Sequence, residues 1–385
     1  MKIGYDAKRI VRNATGLGAY ARTLVNDMAL VLAPDDDHEL LLYAPDEGRD
    51  HLRSQMHTGP GMRFVYPETK GVGPFAAVSK AWWRSRGIVA DLQRDGVQLF
   101  HGLSGELPVG LRRAGIPGVV TIHDLIFMRH PEYYHWLDTK LYTWKFHATL
   151  REATHIIAIS ERTKQDIIEL GHVSPDRIDV IYQSCHPRFG TPLSPDAVTE
   201  TMQRLGLPVR FVLNVGSVEE RKNVMLVLKA LPLLPDDLHL VVVGRHTPYA
   251  DRLSAYAREH GLTARLHLLH GVGDRDLQAL YQQAEVFVYP SRYEGFGIPI
   301  IEAVFSRLPV VACTGSCLEE AGGPDSLYVG PDDVEGMAHA ITRQLLGAAG
   351  REERIGRSLA YVERFRGRDV AAQVAQLYGR LMLRG

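Results

Sequence analysis

Short apolar runs alternate with stretches of helical periodicity along almost the whole chain, and this alternation restricts the fold more than any other feature. Candidate strands span residues 2–5, 40–43, 98–101, 118–122, 155–159, 177–181, 211–215, 238–243, 266–269, 286–289 and 309–312. Helical patterns fill many of the intervals, as at 19–31, 161–170, 225–234, 250–260 and 276–284. Strands that are apolar throughout need cover on both faces, which predicts βαβ units around parallel sheets. At 385 residues the chain exceeds one ordinary core, so two domains are expected. The boundary falls where Pro and Gly cluster in QSCHPRFGTPLSPD, just before a new strand opens at Phe211. The predicted layout is a first domain over 1–185, a linker over 186–208 and a second domain over 209–368. A terminal helix over 369–385 is expected to cross back to the first domain. Two doubly wound, Rossmann-like α/β domains would face each other across a cleft at the C-terminal edges of their sheets.

Charge excludes one class of partner. Lys and Arg number 44 against 45 Asp and Glu, and residues 1–185 hold 22 of each sign. A general basic surface for nucleic acid is therefore not expected. No apolar run approaches the length of a membrane-spanning helix. The opening MKIGYDAKR passes straight into a strand and then charges, unlike a signal peptide. Cys185, Cys313 and Cys317 form an odd trio, which points to a reducing cytoplasm. Cys313 and Cys317 lack a second pair with zinc spacing and read as buried or incidental thiols. In Lys80-Ala81-Trp82-Trp83-Arg84-Ser85-Arg86, two tryptophans sit among three cations. That suits a peripheral membrane contact, and it equally suits aromatic packing inside the first domain.

The chemistry concentrates in PSRYEGFGIPIIEAVFSRLPVVA, residues 290–312. Glu294 and Glu302 stand eight positions apart around Gly-Phe-Gly-Ile-Pro. Pro299 suits the first position of a helix, which places Phe296, Gly297 and Ile298 where backbone N–H groups and the dipole favour an anion. Taken singly, Glu302 is a first-turn acid and Glu294 a loop carboxylate. The run Gly216-Ser217-Val218-Glu219-Glu220-Arg221-Lys222-Asn223 follows a strand and leads into a helix that Asn223 could cap. Arg221 and Lys222 oppose the dipole there unless an anion sits beside them. Gly16 and Gly18 open another helix after a loop. With Ala21 they spell G-x-G-x-x-A, yet nine residues separate them from the strand, a poor match to a NAD site. His123 and His101 lie at strand ends, where a sheet delivers functional side chains and where core histidines also occur. Asp274 and Asp276 spell D-x-D; Asp274 reads as a helix N-cap and Asp276 as a first-turn acid. The acidic runs 35–37 and 332–333 read as solvated loops.

These motifs together resemble family 4 retaining glycosyltransferases, which have the GT-B fold. EGFGIPIIEA looks like the family's E-x7-E motif, and Ser217 to Asn223 resembles its phosphate-binding loop. Residues 271–297 resemble its lead-in; HDLIF, AISERTKQDII and VIYQSCHPRF resemble the end of its acceptor domain. The likeness covers most of residues 115–345. GYDAKRIVRNATGLGAYARTL and the Glu-Arg-Lys-Asn spelling look most like bacterial mannosyltransferases of surface-polysaccharide assembly, such as O-antigen synthesis. The resemblance implies a retaining transfer of a hexose, mannose from GDP-mannose being favoured, to a saccharide or lipid-linked saccharide. No metal or other cofactor is implied. Glu294 would hold donor-sugar hydroxyls and Glu302 the ribose. Phe296, Gly297 and Ile298 would lie near the sugar and diphosphate, and Val272 near the base. Arg221 and Lys222 would stabilise the departing nucleoside diphosphate. His123 would sit near the transferred sugar, with Gly16 and Gly18 lining the donor and acceptor site. Ser217 departs from the arginine that many members carry after Gly216. A UDP- or dTDP-sugar donor, a nucleotide-sugar 2-epimerase and a non-catalytic nucleotide-sugar-binding protein are the rival readings. The implied location is cytoplasmic, with peripheral contact at the inner membrane face.

Overall fold

A computed structural model describes residues 1–32, 38–68 and 76–383. The acidic run 35–37 lies outside them. Two compact units emerge: Met1–Ser184 with Phe365–Gly385, and Cys185–Arg364.

The first unit is built on strands β1 Lys2–Asp6, β2 Glu39–Tyr43, β3 Met62–Val65, β4 Leu99–Gly102, β5 Gly118–Ile122, β6 His155–Ala158 and β7 Ile178–Val180. They form one parallel sheet in the order β3-β2-β1-β4-β5-β6-β7. Central strands such as β4 and β5 are buried along their whole length, as their unbroken apolar runs require. Register is set across the middle by Ile3 opposite Leu99 and Tyr5 opposite His101. One face of the sheet is covered by the helix Gly16–Leu32 and the terminal helix Gly367–Met382, whose Val370, Val374, Leu377 and Tyr378 enter the same core as Leu24 and Met28.

The second unit contains β8 Phe211–Val215, β9 His239–Val243, β10 Leu266–Leu269, β11 Val286–Tyr289, β12 Val310–Cys313 and β13 Leu327–Val329. Their order is β10-β9-β8-β11-β12-β13, again parallel. Numbered within the unit this is 3-2-1-4-5-6, the doubly wound arrangement whose ligand crevice lies beyond the C-terminal ends of its first and fourth strands. Here those strands are β8 and β11.

Residues 186–208, read from sequence as a linker, carry the helix Pro195–Leu205 and belong to the second unit. Ser194 caps that helix by accepting from the Ala197 N–H, and Gly206 ends it at φ 63°. The Gln278 amide donates to the carbonyls of Arg188 and Thr191, at 2.8 and 2.6 Å, which ties the segment to the helix Asp274–Gln283.

Candidate functional site

The chain leaves β8 through Gly216, whose φ of 154° favours glycine and whose N–H donates to the Val243 carbonyl at 2.9 Å. Ser217 follows, half-buried, and the 3-10 turn Glu220–Lys222 then brings two cations inward. Lys222 is buried: its ammonium lies 2.6 Å from Glu294 Oε1, donates to the Tyr289 hydroxyl at 2.8 Å and sits over the Tyr289 ring. Arg221 contacts the same Glu294 oxygen at 2.9 Å and donates to the Tyr293 carbonyl at 2.6 Å. Burial alone would raise the Glu294 carboxyl, but Lys222 and then Arg221 outweigh it and hold the group below its ordinary range. Burial would likewise depress the Lys222 ammonium; Glu294 overrides this and pushes it up. The three side chains carry two positive charges against one negative, so the cluster keeps a net positive charge at the mouth of the β8–β11 switch point.

The loop from β11 to the helix Ile298–Phe305 forms the adjoining wall. Its conformation is held by the buried Cys317 thiol, which donates to the carbonyls of Glu294 and Phe296 at 3.1 and 3.3 Å. Gly297 is the N-cap residue, and a Cβ on it would come within 2.9 Å of Ala321 Cβ. Pro299 therefore occupies the second helical position rather than the first, and Ile298 opens the helix. The first-turn N–H groups of a helix have no acceptor within it, which suits an anion at this end. Glu302 is in the second turn, not the first. It accepts from the Tyr281 hydroxyl at 2.8 Å, and burial raises its carboxyl to about 7. Val272 is half-buried in the loop between β10 and the helix Asp274–Gln283.

Several local expectations need correction. Asn223 holds the N-cap position in a left-handed conformation, φ 55°, but its side chain donates to the Pro331 carbonyl instead of capping. Gly273, not Asp274, is the N-cap of the helix Asp274–Gln283; Asp274 pairs with Arg188 and Asp276 with Arg204. Asp333 caps the helix Val334–Thr342 through the Gly336 N–H, and Asp332 pairs with Arg292, so this run is more than a solvated loop. Cys313 and Cys317 are buried and unbridged. Among the described residues, no group of three His, Cys, Asp or Glu is placed to hold a metal ion.

His123, Gly16 and Gly18 belong to the first unit. His123 Nε2 lies 2.8 Å from the Leu103 carbonyl, which can only accept, so this nitrogen carries the proton. Nδ1 then accepts from the Gln183 amide at 3.0 Å, and the ring packs edge-on against Tyr20. Burial lowers the imidazole to about 4, leaving it neutral near pH 7. Gly18 is required by packing: a Cβ there would lie 1.8 Å from the Asn13 carbonyl oxygen. Gly16 is exposed and meets no such restriction. His101 is a core residue, hydrogen-bonded to Tyr378 and Thr121 at 2.6 and 2.8 Å.

The structure thus gathers Gly216, Arg221, Lys222 and Glu294 at the switch point of the second unit, continuous with Phe296, Gly297, Ile298 and Glu302. Tyr289, Tyr281 and Cys317 complete this wall and were not read from sequence. Tyr289 ends an apolar strand, and only its seat above Lys222 distinguishes it from a core aromatic.

Sequence comparison agrees with this topology. The family described as glycosyl transferases group 1 matches residues 199–358, and glycosyltransferase family 4 matches residues 16–186. O-antigen chain mannosyltransferase B of Escherichia coli is 32% identical over 286 residues, 73% of this chain and 74% of that protein. The chain belongs to the family 4 glycosyltransferases. It is also 28% identical to O-antigen chain mannosyltransferase RfbU of Salmonella typhimurium, over 58% of this chain and 59% of that one. Among solved structures, sucrose-phosphate synthase from Thermosynechococcus elongatus superposes with a TM-score of 0.80 at 21% identity, covering 100% of both chains. The fold is GT-B, and the chain is a hexosyltransferase with mannosyltransferase relatives.

Proposed function

We propose that this glycosyltransferase moves mannose from GDP-mannose, with retention and without a metal, to a hydroxyl of a saccharide or lipid-linked saccharide. The observation that carries the reading is the buried Arg221–Lys222–Glu294 cluster, cationic on balance, beside a helix N-terminus at the β8–β11 switch point. Charge develops on the diphosphate as the glycosidic bond breaks, and a preorganised cation beside it lowers that barrier. In this reading Gly216, Ser217, Phe296, Gly297 and Ile298 surround the diphosphate and sugar, Val272 meets the base and Glu302 binds the ribose. Glu294 accepts from sugar hydroxyls with its second oxygen. His123, neutral, exchanges its Gln183 partner for a hydroxyl of the transferred sugar, and Gly16 and Gly18 complete the donor and acceptor surfaces. Departure and attack occur on one sugar face, the acceptor proton passing to the leaving phosphate. Likeness to O-antigen mannosyltransferases supports mannose. The proposed location is cytoplasmic, at the inner membrane face, with peripheral contact through Lys80 to Arg86.

Thermal-shift titration across GDP-, UDP- and dTDP-sugars tests the donor, since a ligand bound only by the folded state raises the melting temperature. GDP-mannose should give the largest shift, and a larger shift with a UDP- or dTDP-sugar would overturn the donor assignment. Anomeric configuration of the product by NMR tests retention, and undiminished turnover in EDTA tests metal independence.

A further inference from the structure

The helix Lys8–Arg12 follows β1 directly, on the sheet edge where β4 runs out toward Leu103 and β5 toward His123. Its apolar residues Ile10 and Val11 enter the core. Lys8 and Arg12, four positions apart, line a cavity of about 840 Å³ together with Asp6 and Glu106. Trp82 lines it too and is exposed, whereas Trp83 is buried and donates to Asp91 at 2.7 Å. The acids on this edge are already matched to cations. Asp6 pairs with Arg84 at 2.6 Å, Glu106 with Lys145 at 3.2 Å and with Arg84, and Asp46 with Lys80 at 2.7 Å and with Arg12.

Arg9 is left out of these pairs. At 3.6 residues per turn it points roughly 100° away from Lys8, and it does not line the cavity. Among the described residues its guanidinium makes no ion pair, and its buried Nε has no hydrogen-bond partner. The groups that feel its charge are bases. Burial is the main cause of the low value of His123, and the Arg9 charge adds to it. Burial and Arg84 lower the Lys8 ammonium, and Arg9 contributes there as well. A cation drawn partly out of water among other bases costs stability unless a counter-charge arrives. The planar fork of a guanidinium matches the paired oxygens of a phosphate or a carboxylate.

We propose that Arg9 binds an oxyanion carried by the acceptor, a phosphate or carboxylate close to the hydroxyl that receives the sugar. The proposal rests on the reading that His123 stands beside the transferred sugar. In that reading the donor diphosphate has Arg221 and Lys222 of the second unit, and Arg9 belongs to the first, which takes the acceptor. Two sources share this chemistry: a diphosphate that joins the saccharide to its lipid, and an acidic group on the saccharide itself. The whole chain, saturated with GDP, is titrated in a calorimeter with octyl α-mannoside, its C6 carboxylate analogue and the octyl ester of mannosyl diphosphate. One or both charged ligands should bind about tenfold or more tightly than the neutral one, the effect of a charge-assisted hydrogen bond. The diphosphate binding best indicates the lipid linkage, and the carboxylate binding best an acidic sugar. Arg9→Gln should erase the preference and leave the neutral ligand unchanged, while Arg9→Lys should restore part of it. Because the charge has no partner in the free protein, Arg9→Gln should not lower the melting temperature. No preference in the wild type, a preference that survives Arg9→Gln, or a marked fall in melting temperature overturns the proposal. The thermal shift with GDP is measured first on both proteins. Its loss in Arg9→Gln alone would assign Arg9 to the donor and likewise overturn it. Its absence in the wild type would count against the donor reading, and the same titrations without GDP would still decide the role of Arg9.

Discussion

Two cations and one carboxylate share the buried space where β8 and β11 end, and their mutual distances decide what each substitution does. Lys222→Ala removes the contact at 2.6 Å from Glu294 and leaves Arg221 at 2.9 Å from the same oxygen. Turnover should fall by about a hundredfold or more, the usual effect of deleting one preorganised stabiliser of developing charge. The fold should survive with about 1–3 kcal/mol less stability, because Glu294 loses part of its compensation. Nucleoside diphosphate release and a circular-dichroism melt measure the two effects; near-normal turnover would remove Lys222 from the donor site. Glu302 gives a pH signature. Its folded carboxyl sits at about 7, above the ordinary value of 4.5, so the folded state holds the proton more tightly. Stability contributed this way is complete below the ordinary value and is lost as pH rises through about 7. Glu302→Gln should remove a decline on the order of 1–2 kcal/mol between about pH 5 and about pH 8, reduced from the full linkage by partial exposure. Calorimetric melts across that range check it. The Glu294–Glu302 pair was singled out by its spacing around a glycine-rich helix start and Arg221–Lys222 by two adjacent cations after a strand, both properties of the local chain. Tyr289, Tyr281 and Cys317 were not, since each acts through a partner 21 to 67 positions away.

At the scale of elements, the terminal helix Gly367–Met382 is joined to the first sheet by a polar contact as well as an apolar one. The Tyr378 hydroxyl meets His101 Nδ1 at 2.6 Å and Tyr5 at 3.4 Å, while His101 Nε2 meets Thr121, all buried. Tyr378→Phe leaves the imidazole nitrogen without its partner and should lower stability by about 1–3 kcal/mol, read from urea unfolding. Unchanged unfolding would show that the network contributes nothing net. The apolar runs announced most strands with small shifts at their ends, but not β3 and β13. Both are short edge strands: Arg63 interrupts the apolar run of β3, and the three residues of β13 are too few to stand out from the loops beside them. Helix caps were read less well. Asp274 and Asn223 had the right residue type, yet Gly273 and the Pro331 carbonyl took over their tasks.

Over the whole molecule, the two units differ in how they use the chain. The second is continuous, Cys185–Arg364, whereas the first needs Phe365–Gly385 in addition to Met1–Ser184. A fragment of residues 185–364 should unfold cooperatively and keep its thermal response to the donor nucleotide. A fragment of residues 1–184 should not fold, since Val370, Val374, Leu377 and Tyr378 would be missing from its core. Calorimetry of both fragments tests this, and a cooperative transition in 1–184 would refute it. What the sequence determined alone was the class: alternating buried runs and helical patterns admit little besides parallel doubly wound sheets, and the Glu294–Glu302 stretch marks a helix start flanked by two acids. Those signals are local or periodic, so they survive without coordinates. The tertiary structure decided which charges meet, which histidine is core and which tryptophan faces solvent. Such outcomes depend on residues far apart in the chain being brought within a few ångströms, and no local pattern records that.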